Sequence, residues 1–248
     1  LVIPSLSNMA ILPKQILAFP PERNPLINTL ICLKVDIWLL PWTCYINVNN
    51  STTLTIGGMD FELIEDGNRR LTPAVSFLVR FAPGQENQLR RLWEHLMAGD
   101  ETISGGAALM PLTSYDFSPL FGWLVDGNGV NWQLMINSLT SGAASTDAAA
   151  KTANPAVIPY FMWTGDEPQA AAATEVYNQL FGSENFMTLD SPGMHNFTFG
   201  DGVAMRLSSD SAEEVESACQ ALGLTGAEVA EGTEAVVKPD RFGVYWTL

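Results

Sequence analysis

Positive charge is what this sequence most lacks. Twelve Lys and Arg stand against 27 Asp and Glu in 248 residues, a formal net charge of −15. A nucleic-acid binder meets phosphates with clustered cations. Here only Arg69-Arg70 and Arg90-Arg91 pair basic residues, both among acids, so no nucleic-acid partner is expected. Cysteine is nearly as scarce: Cys32, Cys44 and Cys219 have no C-x-x-C spacing and spell neither a zinc site nor a disulfide framework. Two histidines, His95 and His195, and no G-x-S-x-G elbow leave nucleophilic catalysis without a constellation. Gly57-Gly58 and Gly105-Gly106 lack the spacing of a phosphate loop and read as turns. Long apolar runs are missing too. The most apolar window, residues 26–48, is broken by Lys34, Asp36 and Pro41, short of a membrane span. With no secretory signal pattern at the start, a soluble cytoplasmic protein without a membrane partner is expected.

Apolar residues are plentiful, at 47%, enough for a sizeable core. Residues 1–50 hold six prolines and sustain neither the period of a strand nor that of a helix; they are expected not to be a native domain element. From residue 52 the pattern becomes legible. "TTLTIGGMDFELIEDG" reads as two strands joined by Gly57-Gly58. "PAVSFLVRF" alternates, with Val75, Phe77, Val79 and Phe81 facing one way and Ala74, Ser76, Leu78 and Arg80 the other. "QENQLRRLWEHLMAG" switches to helical spacing, with a stripe of Leu89, Leu92, Trp93, Leu96 and Met97. A strand follows, then a hairpin turning at Asp126–Gly129. Residues 138–155, rich in Ala, Ser and Thr, read as a linker between a first partial unit (51–137) and a second (156–248). In the second unit "AVIPYFMWTG" reads as a strand, then a helix capped by Asp166 with Gln169 three residues on. Two further strands, the helix "AEEVESACQALGL" and a closing hairpin complete it.

The two hairpins repeat. Asp126, Gly129, Val130, Trp132 and Leu134 recur 114 residues later as Asp240, Gly243, Val244, Trp246 and Leu248. This strand–helix–strand–strand–strand grammar, with "AVSFLVRF", "LRRLWEHL", "ALMPLTSYDFSPLFGWLVDGNGVNWQLMI", "YFMWTGDEPQAAAATEVYNQLFG" and "FMTLDSPGMHNFTF", resembles the vicinal oxygen chelate superfamily of glyoxalase, bleomycin-resistance and dioxygenase relatives. Within it the chain resembles the PhnB-like branch, often labelled a 3-demethylubiquinone 3-methyltransferase; no cofactor-holding strand–glycine-loop–helix unit supports that label. The resemblance implies an α+β fold of tandem βαβββ modules, forming cupped mixed sheets with helices on the outer face. Both units are incomplete against that pattern. Missing strands leave open sheet edges; lost or replaced coding segments are the preferred reading, and two units completing each other's sheet the alternative.

Metal-using members of the superfamily hold one divalent ion in the cup with His, Glu or Gln from the first and last strands of paired modules. By resemblance the last-strand position falls on Gln133 and on Thr247, and the first-strand positions on Ser76 and Tyr160. Alternation allows Gln133, and Glu62 with it, to face the cup. Phe61, Trp123, Trp132, Tyr160, Trp163 and Phe186 are candidate cup aromatics, of which at least half are expected in the core. No metal ligand and no catalytic residue is assigned. The candidate ligand-binding residues are Glu62, Trp123, Gln133, Tyr160, Trp163 and His195. A metal-free small-molecule-binding protein without cofactor, compatible with a homodimer, is the preferred function, which leaves enzyme activity open. A divalent-metal lyase or dioxygenase using Glu62, Gln133 and His195 is the alternative, and a degenerate non-functional remnant a further one.

Overall fold

The computed structural model describes residues 14–19, 42–46, 52–57, 59–65, 68–99, 104–137, 156–207, 209, 211–224 and 237–247. The expected linker, 138–155, lies outside them. In chain order the elements are β1 (Lys14–Phe19), β2 (Trp42–Ile46), β3 (Thr52–Ile56), β4 (Met59–Glu65), β5 (Val75–Phe81), α1 (Glu86–Met97), β6 (Ala107–Tyr115), β7 (Ser118–Val125) and β8 (Asn131–Ile136). There follow β9 (Ala156–Trp163), α2 (Ala170–Phe181), β10 (Met187–Asp190), β11 (Val203–Arg206), α3 (Ala212–Leu222), β12 (Val237–Pro239) and β13 (Tyr245–Thr247). The class is α+β, as expected.

Residues 75–136 form one whole βαβββ module. Its strands stand in the order β5-β8-β7-β6, with β5 parallel to β8 and the other neighbours antiparallel. The same order, β1-β4-β3-β2 with β1 parallel to β4, recurs among residues 14–65. Strands β1 and β2 thus fall within residues 1–50, where the sequence shows no strand period. Their pairing comes from backbone bonds to β4, β11 and β3 rather than from local propensity. The later modules are shorter: β9 pairs with a parallel β10, and β11 with a parallel β13 flanked by β12.

Each sheet draws on both sides of residues 138–155. The seven-stranded sheet joins β1 to β11 and the six-stranded sheet joins β5 to β9, both antiparallel. Both sheets are thus built from strands on either side of that segment, and the β1–β11 and β5–β9 pairings cover edges that would otherwise stand open.

The helices and both sheets share one core. Leu89, Leu92 and Leu96 of α1 are buried against the six-stranded sheet. Phe61 of the seven-stranded sheet meets Phe77 of the six-stranded sheet edge-on, with centroids 5.0 Å apart. Tyr177 of α2 touches Phe161 on one sheet (5.6 Å) and Trp246 on the other (5.9 Å). The α2 cap differs from the sequence reading. Gln169 and Ala170 donate their backbone N–H groups to the Asp190 carboxylate at 2.8 and 3.1 Å, while Asp166 is exposed. The end of β10 delivers that carboxylate to the helix N-terminus, satisfying orphan donors that local sequence leaves unmatched.

The repeated hairpin has a physical cause. Asp126 Oδ1 accepts from the N–H of Asn128 (2.9 Å) and Val130 (3.0 Å), and Oδ2 from the Trp132 indole (2.9 Å). Asp240 does the same with Phe242 (2.8 Å), Val244 (3.0 Å) and Trp246 (2.9 Å). Gly129 and Gly243 sit at φ 89° and 90°, a backbone open to glycine at no steric cost. The aspartate, glycine and tryptophan recur because one carboxylate organises the turn and locks it to the strand it starts.

Candidate functional site

Gly122 tells the two faces of the six-stranded sheet apart. A Cβ there would lie 2.5 Å from the Trp93 ring of α1, so Gly122 faces the helix. Its neighbour Trp123 must face the other way. Register then carries that face, which no helix among the described residues covers, across the sheet: Trp123 is paired with Gln133 and with Met110, and Phe121 with Met135. Gln133 is paired with Leu78, Leu78 with Ile158, Ser76 with Tyr160, and Tyr160 with Met187.

The floor of this face is apolar with a neutral polar centre. Phe121, Trp123 and Met162 are buried together, with Met110, Tyr115, Met135 and Phe197 packed against them. Gln133 Nε2 donates to Ser76 Oγ at 2.9 Å, and both residues are buried. The Tyr160 phenol is pushed up to about 12 by burial, so it stays a neutral donor. Trp123 is 2% exposed, yet its indole N–H has no hydrogen-bond partner. A buried donor left unmade costs about 1–3 kcal/mol, so this one marks a place where an acceptor is wanted.

His195 and Phe197, in the segment after β10, pack over this face. His195 stands edge-on to Trp123 at 5.5 Å and stacks on Phe197 at 5.2 Å. The segment is held near both ends. Ser191 N donates to Trp163 O (2.7 Å) and Thr164 Oγ1 to Phe197 O (2.7 Å). Arg70 reaches Thr198 Oγ1 and Phe199 O, both at 3.3 Å, and its backbone accepts from Gly202 N at 3.0 Å. At the far end of the β5 row, Arg80 is engaged by Glu184, through the carbonyl at 3.2 Å and the carboxylate at 3.7 Å.

The structure thus gathers four of the six sequence candidates, Trp123, Gln133, Tyr160 and His195, on one face. Glu62 stands apart: it lies on β4 in the seven-stranded sheet and is ion-paired with Arg206. Trp163 belongs to the opposite face of β9, buried in the core with its indole donating to Phe242 O at 2.8 Å. An odd separation within one strand reverses the face, so the spacing of Tyr160 and Trp163 already carried that signal. Of the remaining aromatics, Phe61, Trp132 and Phe186 are core. Sequence reasoning missed Phe121, Met162 and Phe197; the parity of Met162 with Tyr160 was the available clue.

The four positions where the resemblance implies metal ligands carry an amide, two aliphatic hydroxyls and a phenol; the Gln133 amide and the Ser76 hydroxyl are bonded to each other. Among the described residues no three His, Cys, Asp or Glu side chains converge. On the second sheet the carboxylate of Glu62 is already neutralised by Arg206. A lone amide oxygen with no cluster of carboxylates or imidazoles converging on it among the described residues does not fit a divalent ion, which needs several such donors around it.

No family model and no curated protein matches the chain. Among solved structures, glyoxalase I of Zea mays aligns over 96% of this chain and 91% of its own, at 11% identity and a TM-score of 0.52. The PhnB protein of Bacillus cereus is 29% identical over 49% of this chain and 95% of its own, at a TM-score of 0.37. The fosfomycin resistance protein FosX of Listeria monocytogenes is 12% identical over 56% of this chain and 94% of its own, at 0.35. No helix among the described residues is long and apolar enough to cross a membrane. With its paired modules, two mixed sheets and near full-length alignment to glyoxalase I, the chain has the vicinal oxygen chelate fold.

Proposed function

We propose that the chain is a metal-free small-molecule-binding protein, a cytoplasmic relative of the PhnB-like branch, and that its site is the face of the six-stranded sheet that no described helix covers. One observation carries the reading: Gln133 and Ser76, at positions where the resemblance puts metal ligands, are spent on a hydrogen bond to each other with no three His, Cys, Asp or Glu side chains converging there among the described residues, next to a buried indole without an acceptor. An apolar concavity with a few fixed polar groups is the usual form of a small-molecule site. Residues of β5, β7, β8 and β9 supply this face from a single chain, so the site needs no second copy.

The test is elemental analysis of the purified chain after expression in metal-supplemented medium, joined to thermal melts with and without a chelator. The expected result is no stoichiometric metal and an unchanged melting temperature. Near-stoichiometric iron, manganese, nickel or zinc that is lost in Gln133→Ala would overturn the reading in favour of a metal-dependent lyase or dioxygenase.

A further inference from the structure

We infer that the ligand of this face is an uncharged, flat ring compound carrying an acceptor oxygen, a ketone or similar carbonyl, seated against the Trp123 indole N–H. The inference rests on the small-molecule reading above and narrows it to a chemical class.

Three features of the face fix that class. First, it has a surplus donor. Trp123 Nε1 is buried and unpartnered, and an indole can only donate, so the missing partner is an acceptor. Second, among the described residues the strands of the floor offer no free counter-charge. Gln133 and Ser76 are neutral and bonded to each other, and Arg80 is engaged by Glu184. A carboxylate or phosphate would lose its hydration here without an ion to replace it. A cation would meet only neutral side chains at the floor. Third, its walls suit a flat ring. Phe121, Trp123 and Phe197 supply ring faces and edges, the stacked His195–Phe197 pair continues them, and Met110, Met135 and Met162 fill between. Aromatic edges and thioethers pack well against a ring, and unbranched methionine adapts to its outline.

The test uses three matched probes, 2-acetylnaphthalene, naphthalene and 2-naphthoate, titrated into protein labelled with ¹⁵N at the tryptophan indoles and ¹³C at the methionine methyls. The expected result is shifts at Met110, Met135 and Met162 with the ketone and the hydrocarbon, and a downfield move of the Trp123 N–H with the ketone alone. The ketone should bind about ten-fold tighter than the hydrocarbon, as one neutral hydrogen bond allows, and the naphthoate weakest. In Trp123→Phe the ketone should lose its advantage while the hydrocarbon still binds. Naphthoate binding best, or a ketone that shifts the methyls but leaves the Trp123 N–H unmoved, would overturn the ligand class while leaving the binding face intact. If none of the three shifts the methionine methyls, the class and the small-molecule reading fall together. The probe ranking is read on the unaltered protein, so it stands even if Trp123→Phe folds poorly.

Discussion

The Tyr177 hydroxyl donates to Asp240 Oδ2 at 2.6 Å, and both residues are buried. Through this bond α2 is tied to the turn before β13, the same turn whose carboxylate also holds the Trp246 indole. The sister turn at Asp126 shows the same backbone and indole bonds without a tyrosine. Tyr177→Phe removes the hydroxyl and leaves a buried carboxylate one donor short, which costs about 1–3 kcal/mol. Chemical denaturation of the variant should show that loss. A midpoint unchanged from the parent would mean the turn, not the helix tie, carries the stability.

Asp126 and Asp240 give stability a pH dependence of defined sign. Burial raises both carboxyls above the ordinary value of 3.8, outweighing the hydrogen bonds from the indoles, from Tyr177 and from the backbone N–H groups. The folded chain then holds protons that the unfolded chain has released. Their contribution is complete below 3.8 and is lost as pH rises through the raised folded value. Asp126→Asn does not titrate, so its deficit relative to the parent should narrow as pH rises across that window. A deficit that widens instead would mean that the hydrogen bonds win over burial and the carboxyl is lowered.

The start of α2 separates a local cap from a tertiary one. Asp190→Ala should cost about 0.5–2 kcal/mol, the range of a lost N-cap. Asp166→Ala, at an exposed position, should fall within about 0.5 kcal/mol of the parent. Thermal melts of the two variants decide between them, and equal losses would restore Asp166 as a cap.

Gln133 and Ser76 should behave as a unit. Gln133→Leu alone leaves the buried Ser76 hydroxyl without its donor, at a cost of about 1–3 kcal/mol. Adding Ser76→Ala replaces both partners with apolar groups and should return most of that loss. A double-mutant cycle by urea denaturation reads the coupling. Additive losses would show that the two side chains act separately.

Much of the candidate face could be read before the structure. Alternation along β5 and β8 put Ser76 and Gln133 on one side of each strand, because side chains in a strand alternate whatever their partners. The repeated aspartate, glycine and tryptophan marked two equivalent turns for an equally local reason: every bond of the turn lies within seven residues of chain. The stripe of α1 gave its buried side by the same kind of short-range geometry.

Only the tertiary structure decided which strands share a sheet. Local pattern carries no record that β5 pairs with β9 or β1 with β11, since backbone bonds between strands depend on neighbours far along the chain. That pairing put Glu62 and Gln133 on separate sheets and lent α2 the cap of Asp190. It also brought His195 and Phe197 over Trp123. The sequence determined which way each side chain points from its own strand; the long-range pairing of strands determined which of them meet.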